Sequence, residues 1–288
     1  MIATIFVIAL IAIFLFLIFP SKIKGESFFN KYKFIAHRGL HDENIPENSL
    51  LSFSEAVKNG YAIENDIHVL KDDNVVVFHD DTLLRMCGID KKIEDCTLDE
   101  IKDLTLKNSS EKIPTLKECL ELVDGKVPLL IEFKCLDKKT SDRLCKKANE
   151  ILKDYNGEYA IQSFYPFVLN WYKKNRPDVL RGQLSTALYK ENLSKKLLGA
   201  LLFNFIARPQ FVSYEHTHKD NIFLKICLFL GAYPVAWTYK KQEEIDKSKY
   251  TFKNFIFEKF IPEIKDWRIS VFFIINTQFM YIIYKKLL

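Results

Sequence analysis

His37, Arg38, Glu64, Asp66, His79, Glu132 and Lys134 are acid/base, metal-ligating and anion-holding residue types, and all of them fall in or beside strand-like runs. In YAIENDIHVL strict alternation places Glu64, Asp66 and His68 on one face and Ile63, Asn65, Ile67 and Val69 on the other. Two carboxylates side by side repel each other unless a cation lies between them, and an oxygen pair of this kind suits Mg2+ or Ca2+. Two imidazoles close by could move protons. Groups of these types together can take a proton from one oxygen, deliver one to another, and place positive charge beside the reacting centre.

The elements that must position these groups are legible around them. KFIAH reads as a strand ending on polar residues, and Asn48-Ser49 caps a helix in LLSFSEAVKNG, where Leu50, Phe53, Ala56 and Val57 recur at helical spacing before Gly60. The connection KDDN is too short for a parallel crossover, so NVVVFHD is expected to return as a hairpin strand. With Asp72-Asp73 as a two-residue loop, residue 66 pairs with 79 and His79 lies directly across from Asp66; a slip of one residue turns His79 to the other face. Further on, KVPLLIEFK puts Glu132 and Lys134 on one strand face.

AHRG (36–39), PENS (46–49), the E-x-D of Glu64-Asn65-Asp66, VVFHD (76–80), IPTL (113–116), the E-x-K of Glu132-Phe133-Lys134 and AWTY (236–239) occur in this order. The set resembles the signature of the glycerophosphodiester phosphodiesterase family and covers roughly residues 34–262. The resemblance implies Glu64, Asp66 and Glu132 as ligands of a divalent cation, His37 and His79 as the acid/base pair, Arg38 and Lys134 on the phosphate, and Trp237 against the glycerol. It also implies glycerol 3-phosphate and an alcohol as products, with the substrate's own hydroxyl thought to attack first. One departure stands at the last strand, where FIFEKFIP replaces the family's I-x-T-D-x-P and Glu258 takes the place of an aspartate. His68 reads as a structural histidine, His41, His216 and His218 as surface residues, and Asp80 and Asp81 as turn or supporting groups.

Eight strand-like runs, beginning at 34, 62 and 129 and continuing with YAIQSF, VLRGQL, QFVSY, PVAWTY and NFIF, alternate with helical segments. This pattern is that of an α/β TIM (β/α)8 barrel, which commonly takes about 250 residues and carries its site at the C-terminal ends of the strands. Two capping boxes, Thr97-x-x-Glu100 and Thr115-x-x-Glu118, mark a small helical insertion after the second strand, at about 81–126.

Residues 2–19 form 18 consecutive uncharged positions, read as a retained transmembrane anchor (1–20) followed by a basic linker (21–33) and the barrel (34–262). Lys22, Lys24, Lys31 and Lys33 follow the run and no basic residue precedes it, which makes a single-pass membrane protein with its catalytic domain facing the cytoplasm the expectation. Six cysteines without metal spacing agree with a reducing compartment. Residues 263–288 are read as an apolar C-terminal helix. Lys+Arg 42 against Asp+Glu 37 gives a mild net charge of +5, and no aromatic-basic platform points to nucleic acid. The expected partners are a small or lipid-derived glycerophosphodiester and a membrane. Two rival functions are a lysophospholipase D or phospholipase C-like enzyme acting on acylated or polymer-linked glycerophosphates, and a membrane scaffold without turnover.

Overall fold

Short runs rich in β-branched and aromatic residues, most of them separated by helices with one apolar face, leave the chain few ways to bury both layers except a sheet wrapped in helices. A computed structural model describes residues 2–23, 27–107, 109–135, 137–187 and 192–263. The chain runs through α1 (Ile2–Ile18), α2 (Phe28–Lys31), β1 (Phe34–Ala36), α3 (Leu50–Lys58), β2 (Ala62–Val69) and β3 (Val75–Val77). It continues through α4 (Leu84–Cys87), α5 (Leu98–Ile101), α6 (Leu116–Val123), β4 (Leu129–Phe133), α7 (Lys138–Leu152), β5 (Tyr159–Ser163) and α8 (Pro166–Asn175). The last described elements are β6 (Leu180–Ser185), α9 (Leu193–Gly199), α10 (Asn204–Ala207), β7 (Phe211–Glu215), α11 (Ile222–Phe229), β8 (Tyr233–Tyr239), α12 (Gln242–Ser248) and β9 (Asn254–Phe257).

The sheet runs β1-β9-β8-β7-β6-β5-β4-β2-β3, and β1 also pairs with β2. Every pairing except β2 with β3 is parallel, so eight strands close into a barrel and β3 hangs outside it as a hairpin partner. This is the expected TIM barrel.

Inside the barrel, Ile35, Ala62, Leu130, Ala160, Phe211, Val235 and Ile256 form an apolar layer closed from below by Phe28 and Phe29 of α2. Asn254 Nδ2 holds that plug, donating to the carbonyls of Phe29 (3.0 Å) and Tyr32 (2.6 Å). A Cβ on Gly182 would lie 1.9 Å from a ring carbon of Phe211, so the Phe211 ring fills space that only glycine leaves. Because this floor is packed solid, the next inward residues along the strands, Glu64, Glu132 and Glu258 among them, are lifted to the mouth.

The hairpin register differs from the expectation by one residue. Ile67 pairs with Val77 and Val69 with Val75, because the loop takes three residues, with Asp73 at φ 69. Phe78, not His79, therefore lies opposite Asp66, its amide donating to the Asp66 carbonyl at 3.0 Å. Above the hairpin, Leu70, Val76, Phe78, Leu83, Met86, Ile93 and Ile113 form a separate small core around α4 and α5. Both expected capping boxes are present, but the helix opened by Thr115, α6, packs into the main barrel core through Leu116, Cys119 and Val123.

The apolar run at 2–19 folds as a 17-residue helix, and among the described residues no helix is long and apolar enough to cross a membrane. The barrel itself takes up the end of the run. Ile18 is buried in the core, Asn204 Nδ2 donates to its carbonyl, and Arg208 donates to the carbonyls of Phe16 (2.7 Å) and Phe19 (2.8 Å). The continuously exposed stretch, Ile2 to Ile13, is then about 18 Å of helix at ~1.5 Å per residue, with Leu15, Phe16 and Phe19 exposed on one side beyond it. That falls short of a hydrocarbon core roughly 30 Å thick. The segment 264–288, expected to be an apolar helix, lies outside the described residues.

Candidate active site

At the C-terminal end of the barrel, β2 and β4 pair in register with Asp66 beside Glu132, and Glu64 points into the same space one step below. Glu64, Asp66 and Glu132 are buried, and one oxygen from each lies within 4.8 Å of the others. Burial and the neighbouring Asp66 and Glu132 charges push the Glu64 carboxyl well above its ordinary range, and burial also raises Glu132. Burial would raise Asp66 too, but Lys134, His79, Arg38 and His37 overcome it and hold that carboxyl well below the usual range. Crowded, dry carboxylates of this kind are stabilised by a hard divalent cation, and the all-oxygen donor set fits Mg2+ or Ca2+. Oδ1 of Asp66 makes no hydrogen bond: Lys134 Nζ is 3.2 Å away but outside hydrogen-bond geometry, which leaves a buried lone pair for such an ion.

The loop after β1 shapes one wall. Arg38 (φ 57) and Gly39 (φ 80) both adopt left-handed backbone, and a Cβ on Gly39 would meet Ser52 Oγ at 2.4 Å. The turn aims the Arg38 amide at Glu64 Oε2 (3.1 Å), while its guanidinium reaches Glu47 (2.6 Å) and lies 3.4 Å from Asp66. Asn48, also left-handed at φ 55, donates from Nδ2 to Asp66 Oδ2 at 2.9 Å. Ser49 then caps α3 reciprocally with Ser52. The A-H-R-G and P-E-N-S motifs are thus two halves of one carboxylate-holding turn. Lys134 lies 2.7 Å from Glu132 Oε1.

Each candidate catalytic histidine has its own carboxylate. His37 Nδ1 lies 2.6 Å from Glu258 Oε2, and His79 Nδ1 lies 2.6 Å from Asp80 Oδ1. Since an ionised carboxylate only accepts, Nδ1 carries the hydrogen in both rings and Nε2 is left for proton transfer. Burial lowers His37 to about 4, against the raising effect of its hydrogen bond to Glu258, so the ring is neutral at neutral pH. Although the hairpin is slipped, the chain leaves the ladder after Phe78, and His79 comes near enough to help hold Asp66 low and to oppose the rise that burial imposes on Glu132.

Three supporting groups, Arg85, Gln162 and Glu47, carry no individual assignment from the sequence alone. Arg85 bridges Asp80 (2.6 Å) to Glu47 (2.6 Å), tying the insertion to the β1 loop, and Gln162 Nε2 reaches Glu64 at 3.3 Å. Glu47 stands inside a recognised motif without an assigned task, Asn48 reads from sequence only as part of a helix cap, and Glu258 only as a departure from the family pattern. His41 is not a surface residue: its side chain is only 9% exposed and Nε2 lies 3.7 Å from Glu258. His216 is half-buried and stacks on Tyr239 with ring centroids 4.3 Å apart, whereas His218 is more exposed. His68 Nε2 meets the His79 carbonyl at 3.3 Å, a structural contact that fixes the loop bearing the second histidine. Trp237 donates to the Ser213 carbonyl (3.0 Å) and meets Phe164 edge to face at the mouth.

Fold and site together define a TIM-barrel protein with an acidic, oxygen-lined centre and two carboxylate-held histidines at its mouth. The model of the Glycerophosphoryl diester phosphodiesterase family matches residues 37–253, and the chain belongs to that family. It is 37% identical over 163 residues to a glycerophosphodiester phosphodiesterase of Caldanaerobacter subterraneus subsp. tengcongensis, covering 52% of this chain and 65% of the relative. It is 32% identical over 185 residues to human lysophospholipase D, covering 58% of this chain and 56% of that protein. The matches therefore span somewhat less than two thirds of these relatives. Among solved structures, an Oleispira antarctica phosphodiesterase in complex with sn-glycerol-3-phosphate has a similar fold, with TM-score 0.68, 24% identity and coverage of 81% of this chain and 95% of that one. A Thermotoga maritima glycerophosphodiester phosphodiesterase gives TM-score 0.63 at 25% identity, covering 78% and 94%.

Proposed function

We propose that the chain is a phosphoric diester hydrolase that cleaves glycerophosphodiesters to glycerol 3-phosphate and an alcohol. The observation carrying this reading is the convergence of Glu64, Asp66 and Glu132 within 4.8 Å, beside two histidines that are each held through Nδ1 by a carboxylate. Family membership supports it, as does the glycerol 3-phosphate bound to the similar Oleispira protein.

In this reading Glu64, Asp66 and Glu132 hold a divalent cation, Mg2+ or Ca2+, which supplies positive charge to a phosphoryl oxygen. Arg38 and Lys134, already within reach of those carboxylates, add charge on the phosphate. Neutral His37 takes the proton of the attacking oxygen on Nε2, and Glu258 stabilises the imidazolium that results. His79, entering the step as an imidazolium whose Nδ1–H is held by Asp80, gives its Nε2 proton to the leaving alkoxide and is left neutral. Trp237 walls the glycerol. Incubating the full chain with glycerophosphocholine and Mg2+ or Ca2+ tests the reading: glycerol 3-phosphate and choline should appear in equal amounts and at least about a hundredfold more slowly in His37→Ala, whereas choline phosphate as product would contradict it.

A second reading, lysophospholipase D, gains support from a groove of about 860 Å3 beside the site, whose lining includes Leu40, Ile45, Phe260 and Ile261 with Arg85 and Lys259. Such a groove, whose lining also carries Asp42, Glu43, Glu47 and Glu55, offers room and some apolar surface for an acyl chain. Turnover of lysophosphatidylcholine but not glycerophosphocholine would favour it. The exposed apolar length of α1 supports a location at a cell membrane, and the six free thiols support a barrel on the cytoplasmic side.

A further inference from the structure

We infer that the barrel sits mouth-first on a lipid bilayer, with α1 entering the near leaflet and the active site opening onto that surface. For the substrate, an acylated glycerophosphodiester resident in the bilayer, this rests on the phosphodiesterase reading; the seating stands on geometry. Phe14 of α1 meets Phe223 in the first turn of α11, with ring centroids 6.2 Å apart. One turn later in both helices, the Ile18 carbonyl meets Cys227 Sγ at 3.8 Å. The two helices therefore run side by side in the same direction. Since α11 leaves the C-terminal end of β7 and returns to the start of β8, its first turn lies at the mouth end. Before Phe14, α1 thus extends past the mouth, the end opposite the α2 plug. Its exposed stretch from Ile2 to Ile13 includes Phe6 at 63% and Ile8 at 62% exposure. About 18 Å of helix matches half of a roughly 30 Å hydrocarbon core.

Exposed apolar residues elsewhere support the same orientation. Leu193 (72%) and Ile222 (59%) open α9 and α11, which follow β6 and β7 at the mouth; Ile261 (60%) follows β9 at the same end. Lys195 and Lys196 stand in the first turn of α9, a charge arrangement complementary to anionic headgroups. Among the described residues, Phe16, Phe229 (77%) and Tyr250 are comparably exposed toward the base, where α2 closes the barrel, but no exposed apolar helix extends past that end.

The test uses the full chain with phosphatidylcholine–phosphatidylglycerol vesicles whose acyl chains are brominated. A tryptophan introduced by Ile222→Trp should lose most of its added emission on vesicle binding, while one introduced by Tyr250→Trp should keep it. Quenching at Tyr250→Trp alone, or at neither position, overturns the seating. In parallel, the double variant Leu193→Ser with Ile222→Ser should turn over vesicle-borne lysophosphatidylcholine about tenfold more slowly. Its turnover of dissolved glycerophosphocholine should match that of the parent; an equal fall on both substrates overturns the inference. Quenching at Ile222→Trp without hydrolysis of either substrate would uphold the seating and contradict the functional reading instead.

Discussion

His37 Nδ1 and Glu258 Oε2 are 2.6 Å apart across the seam where the last strand meets the first, β9 carrying Phe257 beside Ala36 of β1. Barrel closure therefore also assembles the histidine with its carboxylate. Lys240 Nζ (3.2 Å) holds the other Glu258 oxygen, and although burial would raise this carboxyl, the hydrogen bond from His37 keeps it well below the usual range.

Glu258→Gln tests that relationship. An amide can donate to Nδ1 as readily as accept from it, so the ring is no longer held in one tautomer, and kcat should fall about a hundredfold with KM little changed. The sign of the pH effect is also fixed. Glu258 raises the His37 pKa against burial, so its neutralisation should move the acid limb of kcat/KM below the wild-type value, which is itself depressed from 6.5 toward about 4. An acid limb that moves upward would contradict the assignment.

His37→Ala and His79→Ala should each reduce kcat by about 10²–10⁴-fold, the range for loss of a proton-transfer group. Equilibrium dialysis should find divalent-ion affinity close to wild type in both, because neither ring belongs to the acidic cluster.

The acidic cluster links metal to stability. In the ion-free protein the Glu64 carboxyl is raised by burial and by Asp66 and Glu132, so the folded chain holds a proton that the unfolded chain has released. The sign follows: this contribution is present below the ordinary carboxyl pKa and is lost as pH rises through the folded value. A bound cation should reverse that loss, adding about 2.7 kcal/mol at a hundredfold excess over Kd. Calorimetric melting with Mg2+, with Ca2+ and with chelator measures it, and Glu64→Gln should abolish the metal-induced rise in Tm while leaving the ion-free protein at least as stable as wild type.

Gly182→Ala forces a methyl into the Phe211 ring, with its Cβ 1.9 Å from a ring carbon, and should destabilise the barrel by about 1–3 kcal/mol in urea melts. Adding Phe211→Leu should recover part of that loss; a neutral Gly182→Ala would show that the barrel floor is looser than the structure indicates.

Much of this was legible in the sequence because strand periodicity is rigid. Once Glu64 and Asp66 are on one strand, alternation alone puts them on one face, and the eight strand-like runs that announced the barrel are its eight parallel strands. What escaped depends on one-residue details or on contacts between distant segments. KDDN fits a two- or three-residue loop equally well, and only the left-handed Asp73 selects the longer one. His79 still reaches the acids because the chain leaves the ladder, something periodicity cannot report. His41 becomes buried only because Glu258, 217 positions away, arrives beside it. Likewise the apolar run at 2–19 gives no sign that its last turn belongs to the barrel, since Asn204 and Arg208, which bind its carbonyls, lie far along the chain.

The most direct test of the central claim is the rate of glycerol 3-phosphate release from glycerophosphocholine, or from lysophosphatidylcholine after acyl release, measured for the full chain and for Glu64→Gln with Mg2+, Ca2+ or excess chelator. Release that requires one of the two ions and disappears in Glu64→Gln is the predicted result. Undiminished release under chelation, or in Glu64→Gln, would contradict a site built on three acids gathering a cation.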